Sequence, residues 1–156
     1  MRRLGQQPIT SLDDPVEAAR VARDRYAPMR DMLLQAHSWN FAIKRAALAA
    51  EVGPAADGRS AFPLPADCLA VHCVSAARWS VEGRRILADA QPPLAIAYGA
   101  RIEDVGLYPP LFVEALSSRL AAELAEPLTQ SGSMAEAKQR EHRVIMAEAR
   151  TRAAQE

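Results

Sequence analysis

The sequence predicts a mainly α fold: a helical bundle of about four helices with a small antiparallel β insertion and an extended C-terminal helix. Three observations predict it. Apolar residues recur at steps of three and four near the start and in the last third of the chain. Alanine, the strongest helix former, supplies much of the 49% apolar content. Between the helical stretches lie short runs rich in β-branched or aromatic residues, separated by turn signals. A chain of 156 residues suits one domain, helical over 13–52 and 108–156 with the insertion at about 67–101.

Residues 4–12, LGQQPITSL, read as an extended lead-in. Asp14, Pro15 and Glu17 then form a helix start, with Asp14 as cap and Glu17 closing a capping box. Val16, Ala19, Ala22, Tyr26, Met29, Leu33 and Ala36 make its apolar stripe. Pro28 removes the bond to the Asp24 carbonyl, so a kink or break is expected there. A second helix is expected over Trp39–Ala50, with Trp39 and Ile43 on one face, Phe41 and Arg45 on another, and Gly53-Pro54 as its end. Residues 53–67 read as a loop. LAVHCVSA, ARWSV, RRILA and LAIAYGA follow as strand candidates, with Glu82-Gly83 as a hairpin turn. A third helix is expected over Leu111–Ala125, with Phe112, Leu116, Leu120 and Leu124 on one face and Pro127 as its stop. Ser133 to Glu136 forms a capping box for a fourth helix, whose narrow stripe is Met134, Ala137, Val144, Ile145 and Ala149. The bundle core expected from these patterns is Trp39, Phe41, Ile43, Phe112, Leu116 and Leu120.

The charge pattern excludes several functions. Lysines and arginines number 19, aspartates and glutamates also 19, so the formal charge is zero. A dedicated nucleic-acid binder shows a basic excess on one face. The fourth helix is too evenly mixed in charge for a DNA-recognition helix. Cys68 and Cys73 do not make a disulfide framework. Arg2-Arg3 is not followed by the apolar core of a signal peptide, and no apolar run approaches the length of a membrane span. Cys68, His72 and Cys73 fall short of the four ligands of a zinc site. His37, His72 and His142 are scattered, the glycines are isolated, and no nucleophile motif is present. No enzyme activity and no cofactor are expected.

Three ordered stretches carry a family resemblance. LGQQPITSLDDP, a helix, and then WNFAIKRAAL are similar to the opening of tail tubular protein A, the head-to-tail adaptor of short-tailed phages. FPLPADCLAV with the WSVEGRRILAD hairpin resembles its central β part, and YPPLFVEALSSRLAAELAEPLTQS resembles its later helix. The match covers about residues 4–131. The family carries a further helix ahead of the Leu-Gly turn, where this sequence has only Met1, Arg2 and Arg3.

The resemblance implies a structural virion protein at the head-tail junction, made in the host cytoplasm. Copies would form a homo-oligomeric ring, a dodecamer, between the portal protein and the tail nozzle or tail tube protein. Double-stranded DNA would pass through the lumen without specific binding. The C-terminal helix would meet the portal, which makes Arg140, Arg143, Val144, Arg150 and Arg152 the portal-contact candidates. The β insertion would face the nozzle or neighbouring subunits through Trp79, Arg84 and Arg85. The alternative reading is a small helical protein-binding scaffold or regulatory module that uses the same fourth helix.

Overall fold

A computed structural model describes residues 11–153 apart from 54 and 56, with no side chain described at 150, 152 or 153. The chain divides into two compact units. One, residues 38–103, is built of β-strands. The other comprises Met1–His37 and Asp104–Glu156, and its described residues are mostly helical. Among the described residues there are three α-helices and two three-stranded antiparallel sheets. The fold is therefore α+β, and the expectation of a mainly α bundle of four helices is overturned.

The helical unit contains α1 (Glu17–Ala36), α2 (Pro110–Thr129) and α3 (Gly132–Ala153). In α1 the spacing of Ala19, Ala22, Met29 and Leu33 buries one face, as the apolar stripe predicts. The helix starts later than its capping pattern suggests. Val16 stands at the N-cap, while the Asp14 carboxylate accepts the Ser11 N–H at 3.1 Å in the preceding turn. Arg23 ties that turn down by donating twice to the Leu12 carbonyl, at 2.9 and 2.6 Å. The helix also continues through Pro28. The proline forfeits one backbone bond, and buried residues on both sides of it keep the helix in register.

α2 opens with Pro110 in its first turn, where the missing N–H costs nothing, and runs past Pro127 to Thr129. Pro127 is exposed near the end of the helix, so little helix remains beyond it to lose. Gln130 ends the helix in the left-handed conformation (φ 52°), with its N–H on the Glu126 carbonyl. The Ser131 hydroxyl then accepts the Met134 N–H at 3.3 Å. Ser131, rather than Ser133, thus caps α3. Ala22, Ala121, Leu124 and Ala125 form a buried cluster joining α1 and α2, with Ala135 of α3 packed against it. Small side chains there let the helix axes approach closely.

The sheet unit contains β1 (Ile43–Leu48), β2 (Ser60–Pro63), β3 (Cys68–Val74), β4 (Trp79–Glu82), β5 (Arg85–Ala88) and β6 (Leu94–Ala100). The orders are β1-β6-β3 and β2-β5-β4. The hairpin at Glu82-Gly83 forms as the sequence predicts, with Gly83 at φ +60°, a conformation that a side chain would strain. The strand expected at LAIAYGA is β6, the centre of its sheet.

The second helix expected at residues 39–50 is absent. Trp39 instead precedes a single 3₁₀ turn, Asn40–Ala42, and β1 follows. The physical reason is tertiary. Helix propensities of Ala, Lys and Arg are worth only a few tenths of a kcal/mol each. The ladder from Ile43↔Gly99 to Leu48↔Leu94 pairs one edge of the strand with β6 along its full length, and Leu48 is buried. Trp39, Phe41 and Ile43 therefore belong to the sheet unit, where Trp39 is buried and its ring lies 6.2 Å from that of Phe41. Phe112 and Leu116 are buried in the helical unit as expected, and Leu120 is half-buried.

Two polar clasps hold the sheets. Asp67, just before β3, accepts from Lys44 Nζ on β1 at 2.7 Å and from the Tyr98 hydroxyl on β6 at 3.1 Å. These bonds hold its carboxyl below the usual carboxylate range, chiefly through Lys44. In the other sheet, Arg59 donates to Ser80 Oγ at 2.9 Å and pairs with Asp57 and Glu82.

Candidate interaction surfaces

The sheet unit presents β4 at an edge. Trp79 and Val81 stand two apart on it, which puts them on one face, and they are 39% and 45% exposed. The two arginines of the neighbouring hairpin are engaged within the unit. Arg84 donates to the carbonyls of Pro65 and Cys68, tying the hairpin tip to the turn before β3. Arg85 pairs with Glu51 at 3.2 Å. Of the three nozzle or neighbour candidates, Trp79 offers the apolar surface, and Arg84 and Arg85 first serve the hairpin itself.

The metal candidates do not converge. β3 carries register irregularities between Cys68 and Ala70 and between Val71 and Cys73, so strict alternation fails. Cys68 is buried, which pushes its thiol up, and Cys73 is exposed. His72 Nδ1 lies 3.3 Å from Ser38 Oγ instead. Gly99 makes room for that ring, since a Cβ there would meet His72 Nε2 at 2.9 Å. Among the described residues no group of three or more His, Cys, Asp or Glu could hold a metal ion. Among the same residues no helix is long and apolar enough to cross a membrane.

In the helical unit, α3 packs beside α2. Its inward face is Ala135, Lys138, His142, Met146 and Ala149. Of the expected stripe, Ala149 is buried and Ile145 half-buried, while Met134, Ala137 and Val144 are exposed, because the start at Ser131 and the pairing with α2 turn Lys138, His142 and Met146 inward as well. Lys138 lies along that face on its aliphatic stem and keeps its ammonium on Glu141 at 2.9 Å. The portal-contact candidates Arg140, Arg143 and Val144 are exposed, and Val144 is 69% so. The side chains of Arg150 and Arg152 lie outside the described residues.

His142 faces Ser118 of α2, with Nδ1 2.9 Å from Oγ. The Ser118 hydroxyl also donates to the Ala115 carbonyl at 2.8 Å. Burial, aided by the Arg119 charge, lowers the imidazole pKa. Beside this pair opens a cavity of about 260 Å³ lined mainly by Met29, Met32, Ala36, Arg119, Arg143 and Met146. Arg119 pairs with Glu123 one turn on, yet its buried Nε finds no acceptor among the described residues. Sequence reading missed this site. The signal was the spacing of residues 135, 138, 142, 146 and 149, an inward stripe disguised by a lysine and a histidine.

The chain matches no known protein-family model and no curated protein.

Proposed function

We propose that the protein is a head-to-tail adaptor of a tailed phage or a related particle. It acts by geometry: copies form a ring between the portal and the tail nozzle or tube, and the genome passes through the lumen. The observation that carries this reading is the resemblance of three ordered stretches, which together span about residues 4–131. The structure is compatible with it in two respects. A sheet unit is inserted between α1 and α2 and offers an edge with exposed Trp79 and Val81. α3 presents Arg140, Arg143 and Val144 outward, as a portal-docking helix requires. Zero formal charge suits DNA passage, since tight phosphate contacts would impede sliding. The chemistry of such a protein lies in its surfaces, and the reading assigns it no catalytic or cofactor role.

Electron microscopy of assembled particles tests the proposal. Density for this chain between portal and tail is expected, and density at any other position refutes the adaptor role. A mass measurement of the protein mixed with its portal gives the second check, with a portal-bound ring as the expected species.

A further inference from the structure

The geometry points to a self-association site in the helical unit, in which the turn at residues 104–107 of one copy enters the methionine-lined cavity of another. The cavity is the receptor. Its walls are Met29, Met32 and Ala36 of α1 and Met146 of α3; Arg119 also lines it but is paired with Glu123, which leaves Arg143 as its cation. At about 260 Å³ it is smaller than the ~300–1,000 Å³ of typical small-molecule sites, so it suits one or two side chains of a partner protein. Methionines adapt to the shape of what enters. Arg143 is exposed at the rim.

An apolar occupant with an acidic group beside it complements the methionines and Arg143, and this chain carries such a knob. Val105 and Leu107 are 62% and 58% exposed on a single 3₁₀ turn. Asp104 caps that turn by accepting the Gly106 N–H at 2.9 Å, which fixes its carboxylate beside the two apolar side chains. Knob and cavity are different surfaces of one chain, so the contact is heterologous. Repetition of such a contact generates a ring if the rotation closes and a filament if it does not. The inference stands on the cavity and the knob alone and does not need the adaptor reading.

The purified protein alone tests it, by sedimentation equilibrium over a concentration series and by cysteine cross-linking. Concentration-dependent self-association is expected. Leu107→Asp should weaken it at least about tenfold, as loss of an interface anchor does. Asp104→Arg and Arg143→Asp should each weaken it, and the two combined in one chain should restore it, a recovery that misfolding cannot mimic. In a Cys73→Ser background, Leu107→Cys mixed with Met32→Cys should form a disulfide under mild oxidation, and neither variant alone should do so. A monomer at every concentration, unchanged association in Leu107→Asp, or failure of the charge exchange overturns the site. A ring seen between portal and tail that survives Leu107→Asp would overturn it while leaving the adaptor reading intact.

Discussion

Asp67→Ala is the sharpest stability test, because the structure lets its cost be divided. The carboxylate serves two partners of different burial. The Tyr98 hydroxyl, on a residue only 5% exposed, donates to Oδ1. Stranding that buried donor costs about 1–3 kcal/mol. Lys44 and Asp67 are 49% and 33% exposed at their side chains, so the ion pair between them is screened and adds only ~0.2–1 kcal/mol. Asp67→Ala should therefore cost about 2–3 kcal/mol. Asp67→Asn keeps an acceptor for Tyr98 and should cost no more than about 1 kcal/mol. Both tryptophans of the chain, Trp39 and Trp79, lie in the sheet unit, so urea unfolding followed by tryptophan fluorescence reads that unit. A double-mutant cycle with Tyr98→Phe should give a coupling of about 1 kcal/mol. Equal losses for the alanine and asparagine variants would refute the division, and an unchanged midpoint for Asp67→Ala would refute the clasp. The ionic part has a definite pH window. The folded-state pKa lies below 3.8, so the contribution is complete above pH 3.8 and is lost as pH falls through the folded value.

Two further predictions concern the helical unit and are read by ellipticity at 222 nm. Phe112 is fully buried and meets Tyr108 edge-on at 4.8 Å, so Phe112→Ala should cost about 3–5 kcal/mol, and a loss below about 1.5 would show that the helices close over the gap. His142 has its pKa lowered in the folded state, so the unfolded chain binds the proton first; stability should fall as pH drops below 6.5 and level off below the folded value, and a His142→Asn variant with the same pH slope would contradict this.

What could be read from the sequence depended on whether local pattern and tertiary pairing agreed. They agree in α1, where the stripe Ala19, Ala22, Met29 and Leu33 is the buried face. They agree at the β4–β5 hairpin and at β6. They disagree at residues 43–48, where helix-forming residues are held in a strand by their ladder to β6. An apolar segment this short fits either period, and only its distant partner decides. β2 was hidden for a similar reason, since proline and glycine neighbours marked its surroundings as loop. Prolines were also weighted too heavily. Pro28 and Pro127 both sit inside helices that packing on other residues sustains. Trp79 was legible as an exposed candidate, but the bonds that occupy Arg84 and Arg85 depend on Pro65, Cys68 and Glu51, which no local pattern connects to them.

The sheet unit begins and ends on neighbouring strands. Ile43 lies opposite Gly99, five residues after the unit opens at Ser38 and four before it closes at Glu103. An insertion whose two ends emerge together behaves as a graft: its host needs only a narrow gap in one loop to receive it. Such a module can be lengthened, exchanged or deleted without rethreading the helices, so the two units of this protein are free to change at separate rates.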